Sequence, residues 1–164
     1  MVSLVVEIET TRDIARQILR HRSFSFQEFS QRYARGDELG FQIRDCRMQD
    51  LKNRQASTVT EDMDLISAWK DKQSTLLGLT REVYSWAIDN GIAKEQARAV
   101  LPEGNTISRL YMAGSLRSWI HYCQLRCGIE TQKEHRDVAQ ECLSIIIKEF
   151  PSIAAIINNE DKLP

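Results

Sequence analysis

Between Thr58 and Asn90 the chain has no proline and a single glycine, Gly78, and its apolar residues recur at helical spacing. Ile66, Trp69, Leu76, Val83 and Ala87 fall on one face, and Gly91 supplies a terminator. A helix over that whole stretch would be roughly 50 Å long, more than a small domain is wide. It is the longest helical pattern in the chain. Gly78 is expected to weaken or bend the helix.

The other elements are shorter. Leu4 to Glu9 is rich in β-branched residues and ends in alternation, so a strand is expected there. Thr10 or Thr11 can cap a helix with Asp13 in its first turn and Ile14, Ala15, Ile18 and Leu19 as its apolar stripe. Residues 23–40 read as loop, Phe41 to Ile43 as a short strand, and 44–58 show no period. Ala93 to Leu101 forms a short helix stopped at Pro102, and Thr106 to Met112 a strand or extended link. A helix opens at Ala113-Gly114-Ser115 and runs to about Cys127, with Leu116, Trp119, Ile120 and Cys123 inward. Another spans Thr131 to Phe150, with Val138, Cys142, Ile145 and Ile146 inward. The polar tail from residue 158 is expected to fray. The sum is a mostly helical α+β fold with a small mixed or antiparallel sheet, a single domain over 1–164.

Charge and cysteine usage narrow the function classes. Net charge is −1, which gives no general affinity for polyanions, so nucleic acid is not an expected partner. No apolar run approaches the ~20 residues of a membrane span, and no basic-then-apolar leader opens the chain, so a cytoplasmic protein is expected. Cys46, Cys123, Cys127 and Cys142 are too few and too irregular for a disulfide framework. They read as free thiols, and no metal site is expected.

Against that neutral background, Arg20 to Tyr33 is a local knot of chemistry. It holds Arg20, His21, Arg22 and Arg32 together with Glu28, Ser23, Ser25, Ser30 and Gln31. Guanidinium forks with hydroxyls and loop amides suit a phosphate-bearing small ligand, whereas Glu28 would repel a polyanion and suits the N–H groups of a base or an arginine partner. Gln17, Arg20 and His21 stand at i, i+3 and i+4, so all three reach toward one spot. The alternative is solvated surface with ion pairs around Glu28. Arg117, His121 and Gln124 make a second polar stripe on the helix after Gly114, whose N-terminus suits an anion; a plain amphipathic helix would look the same. No nucleophile with a paired base, no P-loop and no dinucleotide fingerprint is visible. An enzyme of this kind would have a cofactor carry the reactive centre.

Arg20-His21-Arg22, seven residues and then Ser30 resembles the signature of the flavin-dependent thymidylate synthases, the ThyX family. Ala97-Arg98-Ala99-Val100-Leu101-Pro102 resembles a later segment of that family. Gly114 to Tyr122 continuing through Leu125-Arg126, and then Gln132 and Glu134, resemble the next two. The likeness runs from residue 3 to about 150, close in three blocks and loose between Gly36 and Ile92.

The resemblance implies reductive methylation of dUMP to dTMP, with methylenetetrahydrofolate giving the carbon, FAD shuttling the hydride and NADPH supplying electrons. By position, Arg20, His21 and Arg22 would contact the flavin, and Ser115, Arg117, His121 and Leu125 would line its site. Gln17, Glu28, Ser30, Gln31 and Arg32 would hold dUMP, with Arg98 on its phosphate and Arg126 on its base. Arg126, Ser30 and Arg20 would be the catalytic set. A homotetramer whose sites combine residues of several subunits is implied. The family also carries a segment ahead of the first strand, so a fragment, a split-gene half completed by a partner chain, or a short homologue is expected. Gln31 stands where a glycine is usual, Ser115 for an asparagine, Glu130 for a histidine and His135 for an apolar residue. A degenerate or split homologue that binds nucleotide without independent catalysis is the rival reading.

Overall fold

The computed structural model describes residues 2–54 and 56–157. The expectation of a frayed tail at 158–164 lies outside the described residues. A three-stranded antiparallel sheet forms the centre, in the order β1 (Ser3–Thr11), β5 (Ile107–Ser115), β2 (Ser25–Glu28). β1 and β5 pair along their whole length, from Ser3 opposite Ser115 to Thr11 opposite Ile107. On β1, Ile8 and Thr10 face the core, while Glu7 and Glu9 point to the open side and pair with Arg109.

The segment 23–40 is not wholly loop, because β2 lies within it and pairs with the other edge of β5. Four residues carry little periodicity of their own, and the partner that makes them a strand is some eighty positions away in sequence. β5 likewise continues to Ser115, so the helix expected from Ala113 begins only at Leu116. Phe41 to Ile43 forms no strand but a single bridge from Phe41 to Thr106. The aperiodic stretch contains a small hairpin, β3 (Arg47–Gln49) with β4 (Ser57–Val59).

Three helices, α1 (Arg12–Ile18), α4 (Leu116–Arg126) and α5 (Lys133–Glu149), join the sheet in one core. Ile14, Ile18, Leu110, Met112, Trp119, Tyr122, Cys142 and Ile146 are fully or almost fully buried there. The short α6 (Ser152–Ile157) closes its end with Ile153. Ile145, expected inward, is exposed, since on α5 the buried row is His135, Ala139, Cys142 and Ile146.

The long helix α2 (Met63–Asp89) is continuous through Gly78. It ends as expected at Gly91, whose φ of 77° lets Ile92 N–H reach the carbonyl of Ala87 at 2.9 Å. Its buried face differs from the expected one. Gln73, Leu77, Thr80, Tyr84 and Ala87 are buried, whereas Trp69 is 43% exposed and Leu76 and Val83 are also exposed. Buried polar partners decide the face. The Gln73 amide bridges the Arg44 backbone at both N–H and C=O, and the Tyr84 hydroxyl accepts from Gly36 N–H at 2.8 Å. With α3 (Lys94–Ala97) and the 3₁₀ turn Arg98–Val100, Tyr84 and Ala87 enclose a second, smaller core around Ala97 and Leu101.

Candidate active site

α1 ends at Ile18, and the chain leaves it through tight turns in which Arg20 N–H bonds Gln17 C=O and His21 N–H bonds Ile18 C=O. That exit turns His21 inward while Arg20 and Arg22 stay exposed. Phe24 then packs edge-on against Trp119, with ring centroids 5.0 Å apart, and against Tyr122. The approach is close enough that a Cβ on Gly114 would lie 2.5 Å from the Phe24 ring. Signature loop, β5 and α4 are thereby locked together.

His21 and Arg126 meet at the centre of this region. The Arg126 guanidinium donates from Nε to His21 Nε2 at 3.0 Å, so the proton of a neutral His21 is on Nδ1. Burial, then the Arg126 charge, then His121 lower the His21 pKa to about 4. Tyr122 lies edge-on to His21, with centroids 4.9 Å apart, and its hydroxyl reaches His135 Nε2 at 3.2 Å. His135 Nδ1 is 3.3 Å from Gln17 Oε1. Burial, then Arg126, then His21 lower its pKa to about 4 as well. His21 thus meets Arg126 directly and Gln17 reaches the cluster through His135, whereas Arg20 does not join them among the described contacts. His135 and Tyr122 are the site members that spacing did not single out. A histidine on the buried side of α5 was the one signal for the first, and Tyr122 stood inside the motif without an assigned role.

Beside this cluster runs a groove of about 620 Å³ lined by Ser23, Leu116, Arg117, Ser118, Ile120, His121 and Gln124. Leu116 and Ile120 give it apolar walls, and Arg117 and His121 a basic rim. Ser115 caps α4 by accepting from Ser118 N–H at 3.2 Å. These residues fit a flat ring system joined to phosphates. Leu125 is exposed on the same helix, one turn beyond His121.

Two further expected residues, Gln31 and Arg98, line a different cavity of about 410 Å³ with Arg12, Arg16, Glu95 and Glu103. Arg16 pairs with Glu103 at 2.5 Å. Gln31 is buried, and its Nε2 has no hydrogen-bond partner among the described residues. A buried amide donor without a partner, on a residue that lines a cavity with Arg12, Arg16 and Arg98, suits an anion's oxygens. Glu28 is already engaged, accepting from Ser108 at 3.0 Å and lying 3.6 Å from Arg12. Ser30 uses its carbonyl to accept from Tyr33 and Ala34, and Arg32 is exposed. The expected residues therefore form two groups in one chain, one around Arg126 and one around Arg98.

Elsewhere the chemistry is inert. Burial raises the thiol of Cys123 well above its usual range and that of Cys142 to about 12, and all four cysteines are free. No cluster of metal-ligating side chains occurs among the described residues, and no described helix is long and apolar enough to cross a membrane.

The chain is similar to known proteins in both sequence and fold. Residues 1–152 match the family described as thymidylate synthase complementing protein, and the chain belongs to that family. It is 48% identical over 157 residues to a flavin-dependent thymidylate synthase of Synechocystis, covering 96% of this chain and 72% of that one. A probable flavin-dependent thymidylate synthase of Paramecium bursaria Chlorella virus 1 is also 48% identical, over 94% of this chain and 71% of the viral one. Among solved structures, the UMP/dUMP methylase PolB of Streptomyces cacaoi bound with 5-Br UMP superposes with a TM-score of 0.77 at 26% identity. That match covers 89% of this chain and 69% of PolB.

Proposed function

We propose that this protein is a flavin-dependent thymidylate synthase that converts dUMP to dTMP. Methylenetetrahydrofolate would donate the carbon and NADPH the electrons. The observation that carries the reading is the convergence of Gln17, His21 and Arg126, from two separated sequence blocks, beside an apolar groove with a basic rim. Arg117, His121, Ser115 and Leu125 would hold FAD along α4, with Arg20, His21 and Arg22 against it. When bound, FAD supplies hydride transfer, which these side chains cannot perform.

The chain's own residues bind and orient. Arg126 keeps its charge beside a neutral His21 and is left with guanidinium N–H groups for a pyrimidine carbonyl. Arg98 and the free Gln31 amide form an anion site suited to the 5′-phosphate, with Ser30 and Arg32 near it in sequence. In a single chain Arg98 and Gln31 line one cavity, and Arg126 is not among the residues around it. A homotetramer in which the Arg98 group of one subunit faces the Arg126 group of another would complete the site. In this reading the chain is a single cytoplasmic domain, and Ser30 and Arg20 act from the signature loop.

The test is direct. Protein purified with FAD should be yellow, and NADPH oxidation should accelerate when dUMP is added. A colourless protein that gains no flavin on incubation would contradict the proposal.

A further inference from the structure

His135 lies on the sheet-facing side of α5, is 1% exposed, and serves none of the roles described above. It belongs to a continuous chain of hydrogen bonds. The Tyr122 hydroxyl is 3.2 Å from His135 Nε2, and His135 Nδ1 is 3.3 Å from Gln17 Oε1. Gln17 Nε2 donates to Gln132 Oε1 at 2.9 Å, and Gln132 Nε2 to Glu134 Oε2 at 2.9 Å. Glu134 is held in turn by Arg44, 3.3 Å away.

The polarity of this chain follows from its acidic end. An ionised carboxylate only accepts, so Gln132 must turn its NH₂ to Glu134 and its carbonyl to Gln17. Gln17 must then turn its NH₂ to Gln132 and its carbonyl to His135. His135 can meet that carbonyl only with a protonated Nδ1, which leaves Nε2 to accept from Tyr122. Every amide orientation and one tautomer are set by a single charge. Burial, which lowers the His135 pKa, keeps the ring neutral as the relay needs.

We infer that His135 is a positioning residue, which with Gln132 and Glu134 fixes the Gln17 amide so that its remaining N–H points as a donor to the bound nucleotide. The identity of that ligand rests on the proposed function. A group presented this way takes a carbonyl or phosphate oxygen and rejects a donor at the same place, because turning the Gln17 carbonyl toward that donor would break the amide's bonds to both His135 and Gln132.

Three substitutions separate this role from simple packing. In His135→Asn, Nδ2 falls near the place of the ring Nδ1, so the donor to Gln17 is kept. His135→Gln instead keeps the reach to Tyr122, and His135→Phe keeps only the volume. Calorimetric dUMP binding should stay within about threefold of wild type for His135→Asn and weaken about tenfold for the other two, the scale of one buried hydrogen bond. ¹⁵N NMR of the wild-type imidazoles near neutral pH should show His135 protonated at Nδ1 and bare at Nε2. An Nε2–H tautomer, wild-type binding by His135→Phe, or equal weakening in all three variants would overturn the inference. If the wild type binds no dUMP, the proposed function fails while the tautomer measurement still decides the relay.

Discussion

Arg126, in the last turn of α4, donates from Nε to Nε2 of His21, in the loop leaving α1, at 3.0 Å. Between them lie 105 positions of sequence. The contact ties the signature to the later helix and leaves the guanidinium charged beside an imidazole that cannot share that charge. Arg126→Lys cannot reproduce a fork that bonds the His21 ring nitrogen and, in the proposed reading, a pyrimidine oxygen together. We expect dTMP formation to fall at least a hundredfold in Arg126→Lys, with the melting temperature within a few degrees of wild type. Near-normal turnover in steady-state assays would place the base elsewhere.

Arg98 gives a prediction that a general loss of fold cannot imitate. If its guanidinium binds the 5′-phosphate, Arg98→Ala should weaken dUMP binding roughly tenfold to a hundredfold, the scale of a charge-assisted hydrogen bond. Deoxyuridine, which has no phosphate, should bind the variant and the wild type alike. Calorimetry with both ligands reads this, and an unchanged dUMP affinity would remove Arg98 from the site.

Stability should depend on pH through His135. Its folded pKa of about 4 lies below the 6.5 of an unhindered histidine, so between those values the unfolded chain binds the extra proton. The contribution is therefore complete above pH 6.5, declines as pH falls toward 4 and levels off below it. A shift of that size corresponds to about 3 kcal/mol. Urea unfolding from pH 7.5 to 4 should show the decline, and it should be shallower in His135→Asn. Identical slopes in the two proteins would assign the effect to other groups.

Gly114 tests the packing that holds the signature loop. A methyl group there meets the Phe24 ring at 2.5 Å, and Phe24 is itself braced by Trp119 and Tyr122. Gly114→Ala should cost about 1–3 kcal/mol of overpacking. At roughly 2–4 °C per kcal/mol for a chain of this size, the melting temperature should drop visibly. Phe24→Leu should restore part of the loss if that contact is responsible.

Much of this was legible in the sequence, and its limits have physical reasons. The first strand, the helix stops at Gly91 and Pro102, and the apolar stripes of α1 and α4 follow from local periodicity and terminators. β2 was hidden because four residues become a strand only through β5. The buried face of α2 was misplaced because Gln73 and Tyr84, with partners on other elements, and Thr80, whose hydroxyl bonds back to the Leu76 carbonyl, take positions that hydrophobicity alone gives to Trp69 and Leu76. In the site, helical spacing grouped Gln17, Arg20 and His21, but the helix ends at Ile18, before both Arg20 and His21, and it is the turns after it that carry His21 inward and leave Arg20 exposed. The split between the Arg98 and Arg126 groups could not be read from spacing, since tertiary packing alone decides which side of α1 each one meets.

Turnover tests the central claim most directly. Protein reconstituted with FAD should, given NADPH and methylenetetrahydrofolate, release tritium from dUMP labelled at carbon 5 and form an equal amount of dTMP. Tight dUMP binding with neither tritium release nor dTMP would contradict the account and leave a nucleotide-binding protein without this chemistry.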